Sequence, residues 1–395
     1  MKGAFCYTSI EVKNMAKKKK SKGKLKQMLL SLGFMLLGMI CGILMMLYGG
    51  VFDTAKGEVS LSSFLVLFVA MYIAMYIQIA VHEAGHLIFG LITGYSFCSY
   101  RLGRLMWVKQ NGKLSFKRYS LRGTGGQCLM SPPEIKDGKM PVILYNLGGS
   151  IMNLFTSALC TVLYFVFRDT DIISTVFLVS AVIGVFFAAL NGIPMRLGAI
   201  DNDGYNAVSI RKSENSMRSF YIQLKLISEL SQGKRLKDMP SEWFTVPTDE
   251  EMKNSMSATI GVLCCNRLMD SQSLNEAQEL MEHFLSIDSG IVGIQKNLLL
   301  CDILYCELMG ENRKEKIDEL LTKDMKKILK AHINNPAALR TQYAYSLICQ
   351  NNEKAAAKIK KRFDKIIASY PYSGEAESER ELLKLCSYVK ITNIQ

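Results

Sequence analysis

Ile79-Ala80-Val81-His82-Glu83-Ala84-Gly85-His86-Leu87-Ile88-Phe89 is almost wholly apolar apart from one pattern, H-E-x-x-H. On a helix, residues four apart project from one face, one turn above the other, so His82 and His86 present two imidazoles to a common point. That spacing lets one Zn²⁺ bind both, with Glu83 beside them to take a proton from water. The competing reading is a chance match, which a chain of this length gives about once per hundred proteins. Two features weigh against chance. The chain has only four His, two of them here. The stretch also lies in a membrane-length apolar run, where ionisable side chains are costly and mark functional sites.

Composition bounds the rest. A chain of 395 residues accommodates two or three domains. Its 49% apolar content is gathered in blocks, a membrane-protein signature. The net charge of +13 sits beside those blocks with no nucleic-acid motif, so membrane orientation and contact with an anionic lipid bilayer account for it, and a nucleic-acid partner is not expected. The eleven Cys show no framework spacing and read as reduced thiols.

The chain divides in order. Residues 1–27, a basic cytoplasmic tail, carry nine Lys/Arg and one acid, Glu11. The uncharged stretch 28–48 that follows is too long for a signal peptide and lacks a clear cleavage site, so it reads as a transmembrane anchor. Further spans are expected at 61–92, 141–167 and 172–195, which makes 28–204 a four-helix transmembrane core. The loop 94–140 holds nine Lys/Arg against two acids, whereas 49–60 and 168–171 are short and carry few charges. The positive-inside rule then places both termini and that loop in the cytoplasm. Within it, 97–130 is expected to form a β-hairpin loop, because Asn111-Gly112 separates two strand-like runs and both turn positions need positive φ. The ribbon is either a plain surface hairpin or an edge that receives an extended substrate by strand addition.

After 205 helical periodicity with charged faces takes over. Residues 205–232 read as one helix, 233–251 as a linker, and 252–395 as a cytoplasmic all-α domain. Ser273-Leu274-Asn275-Glu276 reads as a capping box. Breaks near Asp270-Ser271, Gly310-Glu311 and Asn351-Asn352 recur about 40 residues apart, which favours TPR-like helical-hairpin repeats over an ordinary bundle and offers a surface to a cytoplasmic protein partner. His283 and His332 stand alone there and read as surface or core histidines.

Two His do not complete a hydrolytic zinc site, which usually has three protein ligands. The end of the last span carries Asn191-Gly192-Ile193-Pro194, followed by Asp201-Asn202-Asp203-Gly204. With these motifs the chain resembles the site-2 protease family of intramembrane zinc metalloproteases over roughly residues 60–210. His82, Glu83 and His86 match its first motif, Asn191 and Pro194 its Asn-x-x-Pro, and Asp203-Gly204 its Asp-Gly. Gly149-Ser150-Ile151-Met152-Asn153 matches its Gly-Pro-x-x-Asn except for Ser150, and Gly125-Gly126-Gln127-Cys128-Leu129-Met130 its Gly-Gly strand. The gap from Pro194 to Asp203 is longer than the family's, so Asp201 competes with Asp203 as third ligand, or caps the next helix. No PDZ insertion is evident.

The resemblance implies a multi-pass protein of a bacterial cell membrane that hydrolyses membrane-spanning peptide or protein substrates. It implies Zn²⁺ on His82, His86 and Asp203, with Glu83 as the base. It implies for Asn191 a hold on substrate or on the developing oxyanion; the other role open to Asn191 is to satisfy backbone where Pro194 breaks the helix. A non-catalytic scaffold that binds transmembrane segments is the alternative, opposed by the intact His82, Glu83 and His86. A transporter would need an internal repeat or a polar helix face, which the spans lack.

Overall fold

Leu67, Ala70, Ala74, Gln78 and His82 recur at three- and four-residue spacing, and all five are buried on one face of a helix, α1, that runs Leu61–Ile92. The opposite face carries Leu65, Phe68, Tyr72 and Tyr76, large and exposed. The computed structural model describes residues 61–110, 112–119, 124–196 and 201–392, with isolated residues between 32 and 59. The basic tail 1–27, most of the expected span 28–48 and the turn residue Asn111 lie outside them. Among the described residues, three helices are long and apolar enough to cross a membrane: Phe64–Ile92 within α1, α2 (Ile143–Val166), and Ile172–Gly192 within α3 (Asp171–Gly192).

The chain divides into two compact units, and the division passes through α1, a continuous helix, between Gly85 and His86. The first unit holds α1 up to Gly85, residues 149–196 and residues 202–205. Its apolar core sets Leu67, Ala70 and Ala74 of α1 against Val179 and Ile183 of α3. The small alanines let the helices approach closely, the main source of attraction where lipid is as apolar as any side chain. Helix α2 buries Ser150, Asn153 and Ser157, again at helical spacing, and exposes Phe155, Leu159 and Val162.

The second unit contains a four-stranded antiparallel sheet where a hairpin alone was expected. Its strands are β1 (Ser96–Leu102), β2 (Leu105–Gln110), β3 (Lys113–Arg118) and β4 (Gly126–Ser131), in the order β3-β2-β1-β4. The hairpin itself stands where the sequence placed it. Gln110 pairs Lys113 across the turn, Gly112 has φ +76°, and Trp107 meets Phe116 edge-on at 5.6 Å. Cys128 and Met130 of β4 pack with Tyr145 and with Met217, Phe220 and Leu224 of the helix α5 (Glu214–Ser231).

Residues 205–232 are two helices, not one. Helix α4 (Asp203–Ile210) stops, and Ser213 caps α5 by accepting a hydrogen bond from the Ser216 amide at 3.1 Å. Residues 233–251 are no linker either. They wind through short 3₁₀ turns that bury Leu236, Met239 and Phe244 against Ile222, Leu226, Ile260 and Cys264. Arg235 fixes this segment through Asp270 at 2.7 Å and Glu381 at 2.6 Å.

Helices α6 (Ser255–Asp270), α7 (Leu274–Ser286), α8 (Gly293–Met309), α9 (Lys314–Leu320), α10 (Lys323–Ala331), α11 (Pro336–Ala344), α12 (Glu353–Ala368) and α13 (Ser373–Thr392) complete the chain around one core. The three expected breaks are real and alike. Each carries a non-glycine residue in the left-handed region, Gln272 at φ 61°, Asn312 at 52° and Asn351 at 47°. The capping box does not form: Ser273, at ψ 63°, is not extended and its hydroxyl makes no cap bond. All ten described cysteines are free.

Candidate metal centre

His82 and His86 are buried one turn apart on α1, and two neutral groups orient their rings. Asn153 of α2, with no exposed surface, donates through Nδ2 to the Gln78 carbonyl at 2.9 Å and to Gln78 Oε1 at 2.7 Å. Its Oδ1 therefore faces His82 Nδ1, 2.8 Å away. An amide oxygen only accepts, so the hydrogen-bond network assigns the ring N–H of His82 to Nδ1. Gln78 is itself held by donation to the Ser180 carbonyl at 3.0 Å. His86 is treated likewise, its Nδ1 lying 2.7 Å from the Tyr145 carbonyl, another pure acceptor.

With both Nδ1 atoms carrying hydrogen, a neutral imidazole leaves its Nε2 as a lone pair. The Nε2 of His82 points at Asp203 Oδ2, 3.0 Å away. His82, His86 and Asp203 each offer one ligand atom, all within 4.8 Å of one another. Two acceptors at 3.0 Å repel unless a cation lies between or beside them, either a proton on His82 or a metal ion. Donor atoms on one tetrahedral ion at about 2.1 Å are roughly 3.4 Å apart, so the His82–Asp203 separation suits either. Neutral partners on both Nδ1 atoms are what metal-ligating histidines commonly have, since they fix tautomer and ring orientation.

Asp203 owes its position to Asn202. Pro194 has no N–H, which leaves the carbonyl four residues earlier, that of Leu190, without its helical donor. Asn202 Nδ2 supplies it, donating to Leu190 O at 2.8 Å and to Ile193 O at 2.6 Å. Its Oδ1 accepts from the amides of Met195 and Tyr205, each at 2.9 Å. The second of these bonds caps α4. The cap is therefore Asn202 rather than Asp201, and Asp203 opens the helix, where its negative charge faces the positive dipole end. Gly204 lies so close to the Gly192 carbonyl that any side chain there would strike backbone.

Asn191 does not fill the second of its two expected roles, to satisfy the backbone opened by Pro194. It remains inside α3, and its Nδ2 donates to the Phe187 carbonyl at 3.0 Å, an ordinary bond within the helix. The backbone opened by Pro194 is satisfied by Asn202. Glu83 follows His82 on α1 and is buried. Asp201 is not in the cluster, while His283 meets Asp249 at 2.8 Å on the exposed surface of the helical region. Gln78 and Asn202 are the residues that sequence reasoning missed. Gln78 carried a signal, a polar residue one turn before His82 within an apolar run.

Gly149 sets the fit. A methyl built there would lie 2.5 to 2.6 Å from three atoms of the His82 ring. Gly149→Ala should push the ring off its position and weaken metal binding by about tenfold or more, as loss of an outer partner does. Helicity should not fall, because alanine favours helix. Metal titration beside circular dichroism checks this; unchanged affinity would show that the ring is not so confined. Compared with models of protein families, with curated proteins and with solved structures, the chain matches none.

Proposed function

We propose that the chain is an intramembrane zinc metalloprotease that hydrolyses peptide bonds in or near membrane-spanning segments. The observation that carries the reading is the grouping of His82, His86 and Asp203, each with one ligand atom within 4.8 Å of the others, with both Nδ1 atoms already committed elsewhere. When bound, a zinc ion would polarise the scissile carbonyl and make water acidic near neutral pH. The residues of the chain do the rest. His82, His86 and Asp203 would hold the ion, and Asn153 and the Tyr145 carbonyl keep the rings aimed. Glu83 takes the proton of the attacking water and returns it to the leaving amine.

The membrane placement rests on the three apolar helices, and the substrate class on the position of His82 within one of them. A four-span topology with cytoplasmic termini belongs to the same reading, as does a helical-hairpin repeat after residue 252, supported by the three matching turns. Protein reconstituted in vesicles with a reporter bearing one membrane span should cut that reporter, and removal of metal by a chelator should stop it. Cleavage that continues in chelator, or none at all with zinc supplied, would count against the proposal.

A further inference from the structure

Helix α12 has two unlike faces. Phe363 and Ile367 are buried in the core of the helical region, whereas Lys358, Lys361, Arg362 and Lys365 recur at the spacing of one helix face. That face is one wall of a groove of about 790 Å³, whose other wall is the open end of the β2–β3 hairpin, with Arg104, Arg118 and Tyr119. The Tyr119 amide closes the hairpin wall by donating to the Arg104 carbonyl at 3.0 Å. That wall is tied to the segment that follows α12: the Tyr119 ring meets Tyr370 edge-on at 5.5 Å, and Gln110 Nε2 donates to the Pro371 carbonyl at 3.0 Å.

Among the described residues, six cations line this groove and no carboxylate does. Arg362 bonds only neutral oxygens, of Ile333 and Asn334. The acids on α12, Glu353 and Asp364, pair with Lys390 and Lys360, neither of which is in the lining. Like charges within a Debye length of about 8 Å repel one another, so such a concentration destabilises the empty groove and favours an anionic occupant.

The shape narrows the occupant. A bilayer surface is a plane that meets protruding charges, not both walls of a groove. Single-stranded nucleic acid binds by stacking bases on aromatic faces, and the lining aromatic, Tyr119, is packed on Tyr370. An extended peptide fits both features, because its side chains alternate to opposite faces and carboxylates on it reach both walls. We propose that this groove binds an extended acidic segment of a protein partner.

The test uses the full chain in non-ionic detergent and a labelled peptide of about ten residues rich in Glu, with its Gln counterpart as comparison. The Glu peptide should bind at about 50 mM salt and weaken as salt is raised. Combined Lys358→Glu, Lys361→Glu and Lys365→Glu should weaken it by about tenfold or more. Combined Lys323→Glu, Lys326→Glu and Lys330→Glu on α10, the same charge change outside the groove lining, should shift it less than about twofold. If the first variant melts early, Gln at the same three positions replaces it, with a smaller loss in the same direction. Three results would overturn the proposal: equal losses in both variants, equal binding of Glu and Gln peptides, or a groove variant that keeps the peptide but loses phosphatidylserine vesicles or oligothymidine.

Discussion

Glu83→Gln should lower the rate of peptide cleavage by about 10²- to 10⁴-fold, the usual contribution of a positioned general base. Glutamine has nearly the shape of glutamate and keeps a carbonyl acceptor, so packing around this buried position should hold. What it loses is basicity. Glu83 is not one of the three grouped ligands, so bound metal should remain at the wild-type level. The fall should appear in kcat with KM little altered, the pattern of an interaction made only in the transition state. Equal rates for wild type and variant, purified side by side, would remove Glu83 from the reaction and with it the hydrolytic reading.

Asp203→Ala should reduce metal affinity by at least about a hundredfold, and cleavage with it, because a protein ligand and the charge that offsets the ion are lost together. Asp201→Ala, two residues away, should keep both. The difference follows from geometry: Asp203 Oδ2 is 3.0 Å from His82 Nε2, whereas Asp201 precedes the cap residue Asn202 and is not in the cluster. The contrast excludes a general effect of removing negative charge near the helix start, which both variants share. Metal retained in the Asp203 variant and lost in the Asp201 variant would assign the third ligand to the other carboxylate.

The parts of the site that were legible in the sequence are those that local geometry dictates. His82 and His86 share a face because a helix has 3.6 residues per turn, and that holds wherever the helix packs. Gly112 at the hairpin turn likewise follows from backbone sterics, whereas at the breaks read at Asp270-Ser271, Gly310-Glu311 and Asn351-Asn352 the left-handed Gln272, Asn312 and Asn351 came from the structure. The supports of the site were legible only in part: the resemblance pointed to Gly149 and Asn153, but not to what they touch. Asn153 reaches Gln78 and His82 across more than 70 residues of chain, and only the packing of α2 on α1 brings them together. Asn202 was overshadowed by two acids, although its side chain alone could both donate to the carbonyls freed by Pro194 and accept from the amides that follow. The break at residues 211–213 was hidden because the apolar period continues across it, from Ile210 to Met217 and Phe220. Leu236, Met239 and Phe244 fall in the stretch 233–251 that was read as a linker, yet their burial contributes about 1.5 to 3 kcal/mol each and fixes the segment.

The central claim is that the cation among His82, His86 and Asp203 is a metal and not a proton. Metal per chain settles it most directly, measured by elemental analysis on protein equilibrated with zinc and then passed through metal-free buffer near pH 7.5. One tightly held ion per chain is expected in the wild type, falling to none when His82 and His86 are both replaced by Ala. Binding should weaken as the solution is acidified, because protons compete with the metal for both Nε2 atoms. A wild-type protein that folds and holds no metal would contradict the account, and would leave a proton as the cation shared by His82 and the part-buried Asp203.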